Sequence, residues 1–137
     1  MEKDELLLVL LQRATHVTLH LLGTELADLG LSASELNVLA NLADGRPRTV
    51  SELGAAAGVR PTTLTGVLDR LVDKGLLTRA ARSGDRRAVE ITLTAEGARS
   101  AEQVAHAFAA VEARAVGEVS ASAVDEARRV LTALATS

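Results

Sequence analysis

Two adjacent arginines in a polar turn near the middle of the sequence offer chemistry suited to a polyanion. Glycine and aspartate favour a tight turn there, and the segment reads Ser83-Gly84-Asp85-Arg86-Arg87. A guanidinium group is planar and permanently charged, so it pairs with phosphate and fits the electronegative minor groove of DNA. We predict that Arg86 or Arg87 makes this contact, the sequence leaving open which, and that Asp85 orients Arg87 through a bidentate pair. The alternative is a charged turn that is only solvated.

The residues after Gly58 could contact base edges. Apolar residues recur at helical spacing and predict one buried stripe, made of Leu64, Val67, Leu68, Leu71 and Val72. The opposite face has no carboxylate in its first turns, where threonine side chains can meet bases in the major groove. Arg70 and Lys74 are expected on phosphate, while Asp69 and Asp73 are solvated or paired with them. The predicted contacts of this helix are Arg60, Pro61, Thr62, Thr63, Thr65, Gly66, Arg70 and Lys74.

A short helix precedes this one and completes a motif. Thr49 and Glu52 have the spacing of a capping box, which predicts a helix over residues 51–57 with Leu53 and Ala56 facing inward. A short helix, a glycine-containing turn and a longer amphipathic helix form a helix-turn-helix. Further candidates for contact with the DNA backbone are Arg46, Arg48 and Thr49.

The sequence pattern changes its period after Gly75. Apolar and polar residues alternate over residues 88–93, which predicts a half-buried strand that pairs with residues 76–82. A hairpin that directly follows such a helix is a wing. The predicted DNA contacts of the wing are Arg82, Ser83, Gly84, Asp85, Arg86 and Arg87.

Two histidines offer a different chemistry. His16 and His20 have the i, i+4 spacing at which two imidazoles on one helix can share a metal ion. Because the sequence has no cysteine and fixes no carboxylate beside them, we predict no metal and no other cofactor. The sequence also lacks a Ser/His/Asp or Cys/His set, a phosphate-binding glycine loop and a motif of paired carboxylates. We therefore predict no catalytic residues and no enzyme.

The composition limits the class of protein that positions these residues. The chain has 137 residues, 47% of them hydrophobic, and its single aromatic residue is Phe108, so its core must come from aliphatic side chains on packed helices. The net charge is −3, yet residues 45–99 contain ten basic and six acidic residues. A basic middle between acidic ends suits a segment that faces phosphate. With no basic start of a secretory signal and no long apolar run, we predict a cytoplasmic protein without membrane contact.

Long helices flank the central motif. They are predicted over residues 6–29, 32–43, 95–119 and 120–135. Ser32 with Glu35 forms a capping box, and Thr94 and Ser120 are expected to cap the last two helices.

The first helix indicates a partner chain. Residues 6–11 are apolar on every side of the helix, and a single chain of this size can scarcely cover them, so we predict a homodimer. The fold class is mostly α with a small β-hairpin wing (α+β), a winged helix-turn-helix with long N- and C-terminal dimerisation helices. The single domain, 1–137, comprises a DNA-binding lobe over about 32–94 and a helical dimerisation lobe over about 4–30 and 95–136.

These motifs together resemble the MarR family of bacterial regulators. The resemblance rests on the Asp85-Arg86-Arg87 turn, on Leu93-Thr94 followed by Gly97, and on the segment Leu71-x-x-x-Gly75-Leu76-x-x-Arg79. It covers nearly the whole chain, because the helix order also fits.

The resemblance implies a homodimeric, sequence-specific transcriptional regulator, a repressor that a small organic effector releases from a pseudo-palindromic operator in double-stranded DNA. Ligands in this family lodge between the dimer helices and the DNA-binding lobe, which implies a pocket near His16, His20, Leu36 and Phe108. The alternatives are a zinc-responsive regulator of the same fold and a winged-helix module that binds protein.

Overall fold

The helices and strands follow one another in the order that the sequence predicts. We describe residues 4–137 in a computed structural model, apart from the side chain of Arg86. The helices are α1 (Leu7–Glu25), α2 (Ala33–Leu42), α3 (Val50–Ala57), α4 (Pro61–Asp73), α5 (Ala95–Val116) and α6 (Ala121–Ala135), with a 3-10 turn at Ala27–Leu29. The strands are β1 (Arg48–Thr49), β2 (Leu77–Arg82) and β3 (Asp85–Leu93). The chain is mostly helical with a small antiparallel sheet, which confirms the predicted fold class.

Side-chain caps determine where the central helices begin. The Ser32 hydroxyl accepts a hydrogen bond from the Glu35 N–H at 3.2 Å, and the Glu35 carboxylate accepts one from the Ser32 N–H at 2.8 Å. Thr49 and Glu52 repeat this arrangement at 3.1 and 2.9 Å. Both predicted capping boxes are confirmed, so local sequence alone satisfies two backbone donors at the start of α2 and of α3.

The last two helices also begin at their predicted caps. The Thr94 hydroxyl accepts a hydrogen bond from the Gly97 N–H at 3.0 Å and donates one to the Gly75 carbonyl at 2.7 Å. Ser120 caps α6 in the same way. Helix α5 ends at Val116 rather than at residue 119, because the chain must turn before a new helix can start at its cap.

The hairpin is tighter than predicted. Strands β2 and β3 pair antiparallel, and Arg82 lies opposite Asp85. Gly84 has a φ of 85°, a left-handed conformation that glycine adopts without steric cost, so the chain reverses within Ser83 and Gly84. The predicted turn over residues 83–87 is therefore wrong, since its last three residues already belong to β3.

The sequence does not predict strand β1. Arg48 pairs with Ile91 and Thr49 with Glu90, which gives a sheet of order β1-β3-β2. Two residues are too few to show an alternating pattern. Because β1 leads directly into α3, this pairing ties the wing to the helix-turn-helix.

The core lies where α2, α3, α4 and α5 meet the sheet. Its most deeply buried side chains include Leu39, Leu53, Leu64, Leu71, Leu77, Ile91 and Val104. The predicted stripe of α4 is confirmed, with Val72 only partly buried. In α3 the prediction for Ala56 is wrong: it is exposed, and Gly54 is buried instead. A Cβ on Gly54 would lie 3.0 Å from the Val59 carbonyl oxygen, so glycine permits the close packing of this turn.

Two apolar helix faces remain uncovered in the protomer. Helix α6 has no buried residue, and Leu7 and Leu8 of α1 are 63% and 54% exposed. The two helices border an apolar groove of about 260 Å³ lined by Leu7, Leu10, Leu11, Ala14, Ala127, Val130, Leu131 and Leu134. Within residues 4–137, no helix combines the length and apolarity needed to cross a bilayer.

Candidate nucleic-acid interface

The first turn of α4 presents polar residues to solvent. Pro61 occupies the start of the helix, and Arg60, Thr62 and Thr63 are exposed around it. Thr65 is exposed as well, but its hydroxyl donates to the Pro61 carbonyl at 2.9 Å and offers only its lone pairs to a partner. Because the first turn contains no acidic residue, the positive end of the helix dipole stays uncompensated. This turn can approach phosphates and base edges as predicted.

The middle of α4 contains one cation directed to solvent. Arg70 is exposed, and no described carboxylate lies within ion-pair distance of it. Asp69 pairs with Arg79 of β2 at 2.5 Å, which is neither of the two predicted alternatives, solvation or pairing with Arg70. Gly66 is half-buried, and a Cβ there would meet only the Arg70 side chain, at 3.7 Å. Arg70 therefore remains a candidate for phosphate contact.

Lys74 forms an ion pair between α4 and α2, and its predicted phosphate contact stays a prediction. Its ammonium nitrogen lies 2.9 and 3.1 Å from the two carboxylate oxygens of Glu35 and 3.5 Å from the Gly30 carbonyl oxygen. The Glu35 side chain is only 3% exposed. Burial alone raises the pKa of this carboxyl, but hydrogen bonds from Ser32 and the ion pair with Lys74 outweigh it, so the pKa of Glu35 lies below its usual value. The buried Glu35 carboxylate needs a counter-charge, and the Lys74 ammonium group supplies it.

Arg82 joins the wing to α3. Its guanidinium group lies 2.5 Å from Glu52 of α3 and 3.0 Å from Glu90 of β3. The pKa of Glu52 is lowered to about 2. The largest cause is the hydrogen bond from the Thr49 N–H, and the bonds from the Thr49 hydroxyl and Arg82 come next. Bonds to Glu90 and Glu52 in turn raise the pKa of Arg82. These pairs use the Nε–H and one Nη2–H of Arg82, and the predicted contact of Arg82 with DNA stays a prediction.

The tip of the wing is exposed. Ser83, Gly84 and Arg87 face solvent, and no described carboxylate lies within ion-pair distance of the Arg87 guanidinium. The Asp85 carboxylate accepts a hydrogen bond from the backbone N–H of Arg87 at 3.0 Å. This corrects the predicted bidentate pair, since Asp85 supports the backbone of Arg87 rather than its side chain. The side chain of Arg86 lies outside the described residues, and its contact stays a prediction.

The three candidates before α3 differ in what they can reach. Asp44 lies 3.2 Å from Arg48 and 3.9 Å from Arg46, and its pKa is lowered, first by the hydrogen bond from the Arg46 N–H. The Arg46 side chain is 82% exposed. Thr49 is buried and caps α3, so the predicted backbone contact does not fit it. Arg46 remains the best placed of the three for phosphate.

A cleft of about 380 Å³ opens between α1, α2 and α5. Leu36 and Phe108 line this cleft, at the place where the resemblance implies a ligand pocket. His16 and His20 do not line it: both are exposed on α1, which turns its Thr18 side toward the cleft instead. Within the described part of the chain, no group of three or more metal-ligating side chains is found. The histidine pair therefore lies apart from the cleft.

The contacts that sequence reasoning missed join residues far apart in the chain. Glu35 and Lys74 are 39 positions apart, and Glu52 and Arg82 are 30 positions apart. Each glutamate also belongs to a capping box, so its sequence context predicts that local role and gives no sign of the distant cation. The Asn37 side chain also donates to the Ala57 carbonyl at 3.2 Å and so connects α2 to the end of α3.

Comparison with known proteins relates the chain to one group of regulators. The model of the MarR family matches residues 29–88, from the 3-10 turn to the wing. The chain is 35% identical to the HTH-type transcriptional repressor MdtR of Bacillus subtilis (strain 168) over 62% of this chain and 55% of MdtR, so it spans about half of that relative. It is 31% identical to an HTH-type transcriptional repressor of Mycobacterium tuberculosis (strain ATCC 25618 / H37Rv) over 80% of this chain and 78% of that protein.

A solved structure shares the fold over nearly the whole length. NadR in complex with 4-hydroxyphenylacetate superposes with a TM-score of 0.85 at 22% identity, covering 98% of this chain and 96% of NadR. Both relatives are named as transcriptional repressors, which agrees with the prediction of a regulator. With the family model on the helix-turn-helix and the mycobacterial match over four fifths of the chain, the chain belongs to the MarR family.

Proposed function

We propose that the chain is a homodimeric, sequence-specific transcriptional repressor that works in the cytoplasm and is released from DNA by a small organic effector. The observation that carries this proposal is the exposed, carboxylate-free first turn of α4, followed directly by a basic hairpin. Helix α4 enters the major groove and the wing lies along the adjacent minor groove. Arg60 and Arg70 contact phosphates, Thr62 and Thr63 contact base edges, and a wing arginine enters the minor groove.

The dimer is proposed from the uncovered apolar surface. The exposed residues of α1 and the unburied helix α6 form a continuous groove that a second copy of the chain would cover. A two-fold dimer presents two copies of α4, and these match half-sites of a pseudo-palindrome about 34 Å apart.

The first expected result concerns the oligomeric state. Multi-angle light scattering on the purified chain at micromolar concentration should give about twice the 14.3 kDa of one chain. The physical reason is that side chains such as Leu7, Leu131 and Leu134 leave water only when a partner covers them. A monomer at that concentration would contradict both the interface and the two-half-site arrangement.

The second expected result tests the wing. Arg87→Ala or Arg86→Ala should weaken binding to the DNA upstream of the chain's own gene by about 1–3 kcal/mol per half-site, with the larger loss on A·T-rich flanks. Arg70→Ala should weaken all sequences alike and reduce the slope of log affinity against log salt by about one for each phosphate that is no longer neutralised. Changes at Thr62 and Thr63 should alter base preference with little change in that slope. A salt-titrated mobility-shift assay measures all three.

The matched control for the wing test is Arg128→Ala. It removes the same charge from α6, where Arg128 pairs with Asp125 on the surface, and it should leave DNA affinity and the salt slope unchanged. If both wing variants bind every sequence as tightly as the parent, with the parent's salt slope, the wing is a solvated turn. If the parent protein binds no DNA in this assay, the repressor proposal itself is wrong.

The effector role is proposed for the cleft between α1, α2 and α5. Its lining reaches from the dimerisation helix α1 to the first turns of α2, which hold the helix-turn-helix through Glu35 and Asn37. NadR, which shares this fold, binds 4-hydroxyphenylacetate. A small aromatic compound that occupies this cleft can favour one dimer shape over another and so change DNA affinity.

A further inference from the structure

The wing arginines lie in a bulge of strand β3. Ala81 of β2 pairs with Val89 of β3. The next residue of β2, Arg82, pairs with Asp85, so the register shifts at this step. Between the two pairs β3 therefore has three residues where β2 has none, and these are Arg86, Arg87 and Ala88. Because a bulge bends its strand and changes the direction of the side chains in it, the orientation of the wing arginines depends on how this bulge is held.

Apolar packing contributes little to holding the bulge against α3. The two elements border an open hollow of about 340 Å³, to which the bulge contributes Arg87 and Ala88, and α3 contributes Ser51. Val89, which follows the bulge, also lines the hollow and is 40% exposed. A segment with few buried apolar contacts opens easily unless polar contacts fix it. The orientation of the bulge relative to α3 must therefore come from hydrogen bonds and ion pairs.

Two carboxylates meet beside the bulge. Thr49 of β1 lies opposite Glu90, and its N–H donates to the Glu52 carboxylate at 2.9 Å. Like charges this close repel each other unless a cation lies between them. The Arg82 guanidinium lies there, with Nη2 at 2.5 Å from Glu52 and Nε at 3.0 Å from Glu90. One planar side chain of β2 thus connects to α3 and to β3 at the same time.

These ion pairs continue into the bulge itself. Arg82 is the strand partner of Asp85, and the Asp85 carboxylate accepts a hydrogen bond from the Arg87 N–H at 3.0 Å. Resting on the DNA-binding role proposed above, we propose that Arg82 is a positioning residue for the wing. Through Glu52 and Glu90 it fixes the orientation of the bulge relative to α3, so that a wing arginine reaches the minor groove while α4 occupies the major groove.

The first test needs no DNA. Glu52→Gln removes the ion pair with Arg82 but keeps the capping box, because glutamine serves at this position as glutamate does. In the full chain, hydrogen exchange followed by NMR should show the backbone amides of residues 82–90 exchanging about two- to fivefold faster than in the parent, the effect of losing a partly exposed ion pair. The amides of α5 should keep the exchange rates of the parent. Unchanged exchange over residues 82–90 overturns the proposal.

The second test measures how the protein distinguishes the flanks of its binding site. In the mobility-shift assay, Glu52→Gln should reduce the ratio of affinities for A·T-rich and G·C-rich flanks by about two- to fivefold, because the wing arginine no longer keeps its orientation. The salt slope should stay that of the parent, since no phosphate contact is removed. A direct contact of Arg82 with DNA predicts the opposite result: the loss of a carboxylate would strengthen binding on both flanks alike. Tighter binding with an unchanged ratio therefore overturns the proposal.

Two further variants control for charge and for the route of the effect. Asp73→Asn also removes one carboxylate from the DNA-binding lobe, but Asp73 is exposed and takes part in none of the described ion pairs, so the flank ratio should not change. In a protein that already carries both Arg86→Ala and Arg87→Ala, adding Glu52→Gln should leave the flank ratio unchanged, because Arg82 acts through these arginines. A further fall of the ratio in that protein overturns the proposal.

Failure of this proposal differs from failure of the repressor proposal. If the parent protein binds no DNA, both are wrong. If the parent binds DNA and prefers A·T-rich flanks, but Glu52→Gln keeps the same ratio, only the positioning role of Arg82 is wrong.

Discussion

Gly97→Ala should destabilise the protein by about 3 kcal/mol, the upper end of the usual range for overpacking a tight contact. A Cβ at this position would lie 1.9 Å from the Leu76 carbonyl oxygen and 2.8 Å from its carbonyl carbon. The neighbour is backbone, and Leu76 is fixed there because its carbonyl accepts a hydrogen bond from the Thr94 N–H at 3.0 Å. The start of α5 must therefore move away from the end of α4. Urea unfolding followed by circular dichroism measures the loss.

Gly23→Ala is the matched control. Gly23 also lies within a helix, but a Cβ there has no heavy atom within 4 Å. This alanine should stabilise the protein by about 0.5–1 kcal/mol, because glycine in a helix interior carries an entropic cost. Both variants and the parent need the same protein concentration, since the stability of a dimer depends on it. A Gly97→Ala protein as stable as the parent contradicts the packing at this contact.

Lys74→Ala should cost about 1–2 kcal/mol, because it removes the counter-charge of the buried Glu35 carboxylate, while Lys74 itself is 40% exposed and solvent screens part of the loss. Glu35 keeps its bonds to Ser32 but loses the ammonium group that lies 2.9 Å away. The loss should also loosen the end of α4 relative to α2, since Lys74 is the C-cap residue that directly follows α4. Urea unfolding at neutral pH measures the loss.

The acid dependence of this loss follows from the pKa of Glu35. Its folded-state pKa lies below the ordinary 4.5, so the pair contributes stability above that pH and loses it as the pH falls through the folded value. The difference between parent and Lys74→Ala should therefore shrink in acid. Arg70→Ala, one turn earlier on the same helix and without an ion pair, should change stability by less than about 0.5 kcal/mol. A Lys74→Ala loss no larger than that of Arg70→Ala argues against the buried pair.

The parts of the fold that local rules govern could be predicted from the sequence. The capping boxes at Ser32 and Thr49 and the left-handed glycine after α3 each depend on residues within a few positions of one another. The bounds of α2, α3 and α6 accordingly lie within one residue of the prediction, whereas α1 ends at Glu25 rather than at residue 29 and is followed by a 3-10 turn. Strand β1 could not be predicted, because its pairing with Ile91 is a contact between distant parts of the chain.

The candidate site shows the same difference between features set by local sequence and features set by contacts between distant residues. The exposed face of α4 follows from helical periodicity, so the positions of Thr62, Thr63 and Arg70 were predictable. Lys74 and Arg82 were assigned to DNA because a cation near a recognition helix usually faces phosphate. In the structure both cations pair with carboxylates brought near by folding, and the sequence carries no local sign of these pairs.

Helix α2 contacts both the cleft for which the effector role is proposed and the ends of α3 and α4 within the same two turns. Leu36 lines the cleft, while Glu35 and Asn37 on either side of it hold the ends of α4 and α3. A helical turn is too stiff to move one of these side chains without the others. A compound that displaces α2 therefore disturbs the two contacts that position α4 and α3 for the proposed DNA binding. The resulting loss of affinity applies to the compound and to DNA alike. Bound DNA should weaken the compound by the factor by which the compound weakens DNA, so an occupied operator is the form of this protein least able to sense its signal.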